Sequence, residues 1–231
     1  MPERVTRFVR ETWGSEVNLS LFLGLLVLIV FVLPSVGFAK DNERLYTEVS
    51  YSVLLASGVG IAWRSRALFL ASASIAGVAI VLKWVNMVGD RHSLGIWPDL
   101  TSLATIILIV FILLREVFSV GPITANRIQG AIAVYLLFGV AWAHAFHIAE
   151  VTNAGSFNTD THELSSVRDY IYFSFITLTT VGYGDIVPVG PKARALAAGE
   201  AVTGQLYLAV LLAHLVSMRI SAMGQEPKGR R

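Results

Sequence analysis

Six stretches of this chain are apolar over a length that suits a membrane-crossing helix. They run from about Leu19 to Phe38, Glu48 to Trp63, Ala67 to Val85, Leu100 to Val117, Ile128 to Ile148 and Leu196 to Val216. Such a helix needs about 20 mostly apolar residues to cross about 30 Å of hydrocarbon. The second stretch is the weakest, because Ser50, Ser52, Ser57, Gly58 and Gly60 crowd into a short run. Small and hydroxyl residues are normal where membrane helices touch, so it is kept as a span. A seventh apolar stretch, Tyr170 to Leu178, is too short to cross and reads as a re-entrant segment between the fifth and sixth spans.

Composition narrows the class. Apolar residues make up 55% and charged residues 15% of 231 positions, where a soluble domain carries about 25% charged residues. The class is integral membrane protein. The absence of cysteine excludes disulfides, zinc–thiolate sites and thiol catalysis. A net charge of +2 gives no nucleic-acid footprint.

The charges also orient the chain. With the N-terminus inside and each span crossing once, eleven of the 18 basic residues fall inside and seven, among them Lys83, outside. This agrees with the positive-inside rule. A cleaved leader is the bland reading of the first span, but its apolar core is long for that role and five more spans follow. The expected layout is a cytoplasmic N-terminus (1–18), a four-helix bundle (19–117), a cytoplasmic linker (118–127), a pore domain (128–220) and a cytoplasmic tail (221–231). No soluble sensor or regulatory domain fits in either end. The short termini and the alanine-rich, cysteine-free composition suggest a prokaryotic plasma membrane.

The informative residues follow the short apolar stretch: Thr179-Thr180-Val181-Gly182-Tyr183-Gly184-Asp185. Ser166 with Asp169 three residues later is a capping-box-like helix start. The pattern predicts a half-helix from about Val167 to Thr179 entering from outside, then an extended strand returning outward to about Pro188. Extended backbone at membrane depth is tolerated only where it lines water or is buried in protein. Gly182 and Gly184, at alternate positions, permit dihedrals that let successive carbonyls face the same way. A row of carbonyl oxygens along one axis is a site for a hard cation, and the Thr180 hydroxyl adds an oxygen at its inner end. The half-helix aims its negative C-terminal end at the cavity below.

This stretch carries the potassium-channel signature, and the chain resembles that family from the fifth span through the sixth, roughly Ile128 to Ile220. With four preceding spans, the layout resembles the six-segment, voltage-gated-like superfamily. The resemblance implies an all-α membrane protein with six transmembrane helices, a re-entrant pore half-helix and an extended filter strand per subunit. It implies that Thr180, Val181, Gly182 and Tyr183 coordinate dehydrated K+, the permeant ion and the only metal expected, with no cofactor. It implies that Gly184, Asp185 and Tyr172 support the filter, Tyr172 being the aromatic partner of Asp185. The tryptophans common in that aromatic cuff are replaced by Tyr172 and Phe173. One filter strand cannot surround an ion and no second Gly-Tyr-Gly occurs, so four copies must meet in a C4 homotetramer within the lipid bilayer.

Voltage-gated relatives carry arginines at every third position of the fourth span. Here Leu100 to Leu114 holds no charge, and Arg115 lies at the inner end. Conventional voltage sensing, which takes several charges per subunit, is not expected.

Several residues have two readings. Gly204, twenty positions after Gly184, is either a hinge of the inner helix or a packing residue. Gln205, Leu208, Leu212 and Val216 share one helical face. If that face lines the cavity, Gln205 is a polar ring and Leu212 or Val216 narrows a gate; otherwise Gln205 bonds a neighbouring helix. Glu200 is an ionisable residue inside a span, usually a purposeful placement. It is placed to brace the half-helix through Ser174 or Thr177, protonated or in an ordinary interhelical bond. His144, His147 and His162 read as interfacial packing rather than pH sensing, and no carboxylate at helical spacing makes a metal site of His144 and His147. Trp63, Trp84 and Trp97 read as interface anchors.

The expected function is passive, potassium-selective conduction. The alternatives are a silent or regulatory channel-like subunit, or a membrane sensor or scaffold with a vestigial filter. No paired acids, His/Glu metal spacing or serine–histidine arrangement in the spans points to an enzyme, and no internal repeat points to a coupled transporter.

Overall fold

The computed structural model describes residues 19–32, 43–62, 65–89, 94–119, 121, 123–159, 164 and 167–224. Helix α1 is Leu19–Val32, its last five residues π-helical. Helices α2 (Glu43–Ile61), α3 (Arg66–Val88), α4 (Trp97–Val117) and α5 (Ala125–Thr152) follow. Strand β1 (Phe157–Thr159), helix α6 (Val167–Leu178), strand β2 (Ile186–Pro188) and helix α7 (Pro191–Gly224) complete the order.

Local chemistry sets the helix starts. Ser65 caps α3 by accepting from the Leu68 amide, and Thr124 caps α5 by accepting from Arg127. Pro98 occupies the first turn of α4, where its missing N–H costs nothing. The hydroxyls that weaken α2 as an apolar run are satisfied within the helix: Ser50 donates to the Tyr46 carbonyl, Ser52 to Glu48 and Ser57 to Leu54.

Among the described residues, four helices are long and apolar enough to cross a membrane by length and composition: α3, α4, α5 and α7. Helix α1 is shorter as described, since positions 33–38 of the expected span lie outside the described residues. Helix α2, which opens on Glu43-Arg44 and carries Glu48, falls short on composition. The capping serine expected at 166, His162 and Trp63 also lie outside the described residues.

Helix α5 is the central post. It packs against α4 on one side and against α6 and α7 on the other, while α2 and α3 pack on α4. The α2–α4 contact is close: Gly58 lies against the Ile109 side chain, where a Cβ would collide. Strand β2 is the end of the extended segment expected up to Pro188, whereas β1 was not expected; the two pair antiparallel, with Asn158 opposite Val187. They tie the turn after α5 to the segment leaving the filter, and the Val189 and Gly190 amides extend the tie by donating to the Ser156 carbonyl.

Candidate functional site

The half-helix ends where the pattern places it. The Val181 and Gly182 amides both donate to the Ile176 carbonyl, at 2.8 and 3.1 Å, and Thr180 donates to Thr177. The chain then turns into an irregular run with positive φ at every second residue: Thr180 at 60°, Gly182 at 52° and Gly184 at 81°. Glycine takes this conformation without strain, whereas Thr180 is the one described non-glycine residue there. The unusual backbone at the two glycines is the expected one, whereas that at Thr180 is not, because its residue type gives no such signal. Nothing lies within 4 Å of a Cβ built on Gly182 or Gly184, so dihedral freedom, not space, requires glycine.

Side chains of the Thr180–Asp185 run stand open. Val181 is 52% and Tyr183 74% exposed. Behind them, Tyr172 donates to Asp185 Oδ2 at 2.8 Å, the pairing expected of those two residues. An aromatic group backs the half-helix, with Phe173 edge-on to Phe146 and Phe157, and Tyr170 edge-on to Phe157. Glu150 orders the turn before β1 by accepting from the Gly155 and Phe157 amides at 2.7 and 3.2 Å.

Glu200 reaches the half-helix through Ser174, not Thr177. Its carboxyl is fully buried and hydrogen-bonded to Ser174. Gly204 packs against the end of the half-helix: a Cβ there would collide with the Leu178 carbonyl and stand 2.9 Å from Leu178 Cδ1. Close packing alone therefore requires glycine at this position. Gln205, Leu208, Leu212 and Val216 all lie exposed on α7. Tyr207, on the opposite face, donates to the Ala131 carbonyl at 2.8 Å and fixes α7 to α5.

The histidines require a correction. His144 and His147 are not lone interfacial residues. Asp99, from α4, holds both, with His144 Nδ1 at 2.9 Å and His147 Nδ1 at 2.7 Å. Their carboxylate partner comes from another helix and not from Glu150 of α5, three residues after His147, which is engaged by the Gly155 and Phe157 amides. His144 is completely buried, with Tyr51 edge-on at 5.4 Å between ring centroids. Lys83, counted above with the outer charges, is also buried, 4.6 Å from the Tyr51 ring centre and 3.7 Å from Glu48. Trp84 is half-buried and donates to Ser52, whereas Trp97 is exposed as an interface anchor would be. Among the described residues, no group of histidine and carboxylate side chains is arranged to hold a metal ion.

At the other end of α5, Arg127 is buried and joins three segments. It donates to the Gly121 carbonyl, to Ser119 Oγ and to Met218 Sδ of α7.

Comparison with known proteins agrees with this geometry. Residues 130–220 match a family model described as ion channel. The chain is 36% identical over 92 residues to Two-pore potassium channel 1 of Arabidopsis thaliana, covering 40% of this chain and 22% of that one. It is 30% identical over 99 residues to a voltage-gated potassium channel of Aeropyrum pernix, covering 43% and 30%. It is 26% identical over 152 residues to the voltage-gated potassium channel Kch of Escherichia coli, covering 65% and 33%. The chain thus spans at most a third of the length of these curated relatives. No solved structure matches. Residues 130–220 are thus similar to an ion-channel family, and over this stretch the chain resembles potassium channels, voltage-gated ones among them, which points to a channel and not to an enzyme.

Proposed function

We propose that the chain is one subunit of a homotetrameric channel that conducts K+ passively and selectively across a cell membrane. The observation that carries this reading is the alternation of positive φ at Thr180, Gly182 and Gly184 directly after the half-helix. Such alternation turns successive peptide planes so that the carbonyls of Thr180, Val181, Gly182 and Tyr183 face one side. Four strands around an axis then offer stacked rings of oxygens that replace an ion's hydration shell. The exposed Val181 and Tyr183 are surfaces that neighbouring copies would cover. Cation entry from the inner cavity is favoured by the C-terminal ends of the four half-helices.

Helices α1 to α4 form a bundle without a charged sensor helix. Between Leu100 and Leu114, α4 carries no ionisable side chain. Moving one charge through the field yields about 2.3 kcal/mol per 100 mV, and this segment supplies none. Opening is therefore not conventionally voltage-driven. Both termini lie on the cytoplasmic side, as the basic residues orient them.

The test is potassium and sodium flux into liposomes holding the purified chain, with Gly182→Asp as control. Potassium-selective flux that the substitution abolishes is expected. A verified tetramer that passes sodium as readily as potassium would overturn the assignment.

A further inference from the structure

The Ser174 hydroxyl stands between two oxygens. It lies 2.7 Å from the Gly139 carbonyl of α5 and in hydrogen-bond contact with Glu200 Oε1 of α7. All three helices of the pore domain meet there, since Ser174 belongs to α6. Ser174 and Glu200 are both completely buried. A hydroxyl carries one proton, and a carbonyl oxygen can only accept. If Ser174 donates to Gly139, a second proton must lie on Glu200 for the other contact to be a hydrogen bond. A single proton shared by both acceptors would leave a buried carboxylate with part of one donor. It would also lack a counterion, since Glu200 takes part in none of the ion pairs among the described residues. Its second oxygen, Oε2, has no partner there either. A charge in such a place is costly, whereas a neutral acid is much less so.

We propose that Glu200 is a neutral carboxylic acid that donates to Ser174, which donates in turn to the Gly139 carbonyl. This relay is a positioning device: it pins the half-helix, and so the filter, to both the outer and the inner helix. Gly139 and Gly204 leave room for the closeness it needs, the first lying against the Phe175 ring and the second against Leu178. The positioning role rests on the channel reading above, whereas the protonation state does not.

The test is infrared difference spectroscopy of the full chain in lipid at neutral pH, wild type against Glu200→Gln. Loss of a protonated-carboxyl stretch in the variant, shifted in Ser174→Ala, is expected. Absence of that band from the wild type, with a carboxylate band lost instead, would overturn the proposal whether or not the protein conducts. Flux then tests positioning. Glu200→Gln keeps a donor for Ser174 and should retain potassium-over-sodium selectivity, while Glu200→Ala should lose it. Equal selectivity in a folded Glu200→Ala tetramer would remove the positioning role.

Discussion

Tyr172 and Asp185 are thirteen residues apart in the chain yet meet at 2.8 Å, on the outer side of the filter. Tyr172→Phe keeps the ring and deletes the donor. A net hydrogen bond contributes about 1 kcal/mol, so recordings should show the conducting state of the filter losing about fivefold in occupancy, with selectivity retained. At Gly204 the expected effect is steric. Gly204→Ala pushes against the backbone carbonyl of Leu178 and should lower the melting midpoint of the assembly by the equivalent of about 1–3 kcal/mol. These residues were legible in the sequence because the filter motif fixes a backbone and its flanks at known spacing. Thr180's left-handed backbone was not, since threonine is chosen there against its own preference. The Asp99 partnership of His144 and His147 was not either, because the three residues share no helix and no local spacing records the crossing.

At the scale of elements, the start of α4 and the last turns of α5 are held together by that one carboxylate and two imidazoles. Asp99→Ala leaves two imidazole nitrogens without their acceptor, one of them on a fully buried ring. Thermal unfolding in detergent should show a loss of about 2–3 kcal/mol, with a smaller loss for Asp99→Asn, which keeps one acceptor oxygen. At the opposite end of α5, Arg127 joins the preceding segment to α7 through Ser119, Gly121 and Met218. Arg127→Met keeps bulk and removes those donors. It should make hydrogen exchange faster in residues 123–130 while leaving the α6 amides unchanged. The helices themselves were readable from hydropathy in that each expected centre lies inside an observed helix, although α7 runs eight residues beyond the expected end at Val216. Strand β2 ends the extended segment expected up to Pro188, but β1 and its pairing were not readable, because three residues are too short a signal and the pairing joins segments on either side of the half-helix.

For the whole molecule, the unequal burial of the two long pore helices is the decisive feature. Within one chain, 61% of the apolar window of α5 is buried but only 11% of that of α7. The face carrying Gln205, Leu208, Leu212 and Val216 is open together with Val181 and Tyr183. Closed fourfold symmetry would turn that face toward a common cavity without leaving an unmatched surface. Mass measurement of the detergent-solubilised protein should therefore give four chains per particle. In such a particle, the stretch of α4 from Leu100 to Leu114 offers no charge to the field, so the open fraction should change little across the physiological voltage range; steep voltage dependence would contradict this. The potassium-conducting pore itself is tested most directly by the reversal potential in a planar bilayer with potassium on one side and sodium on the other. The account predicts a current that reverses far toward the potassium equilibrium potential. A current reversing near zero from the same purified tetramer would contradict it.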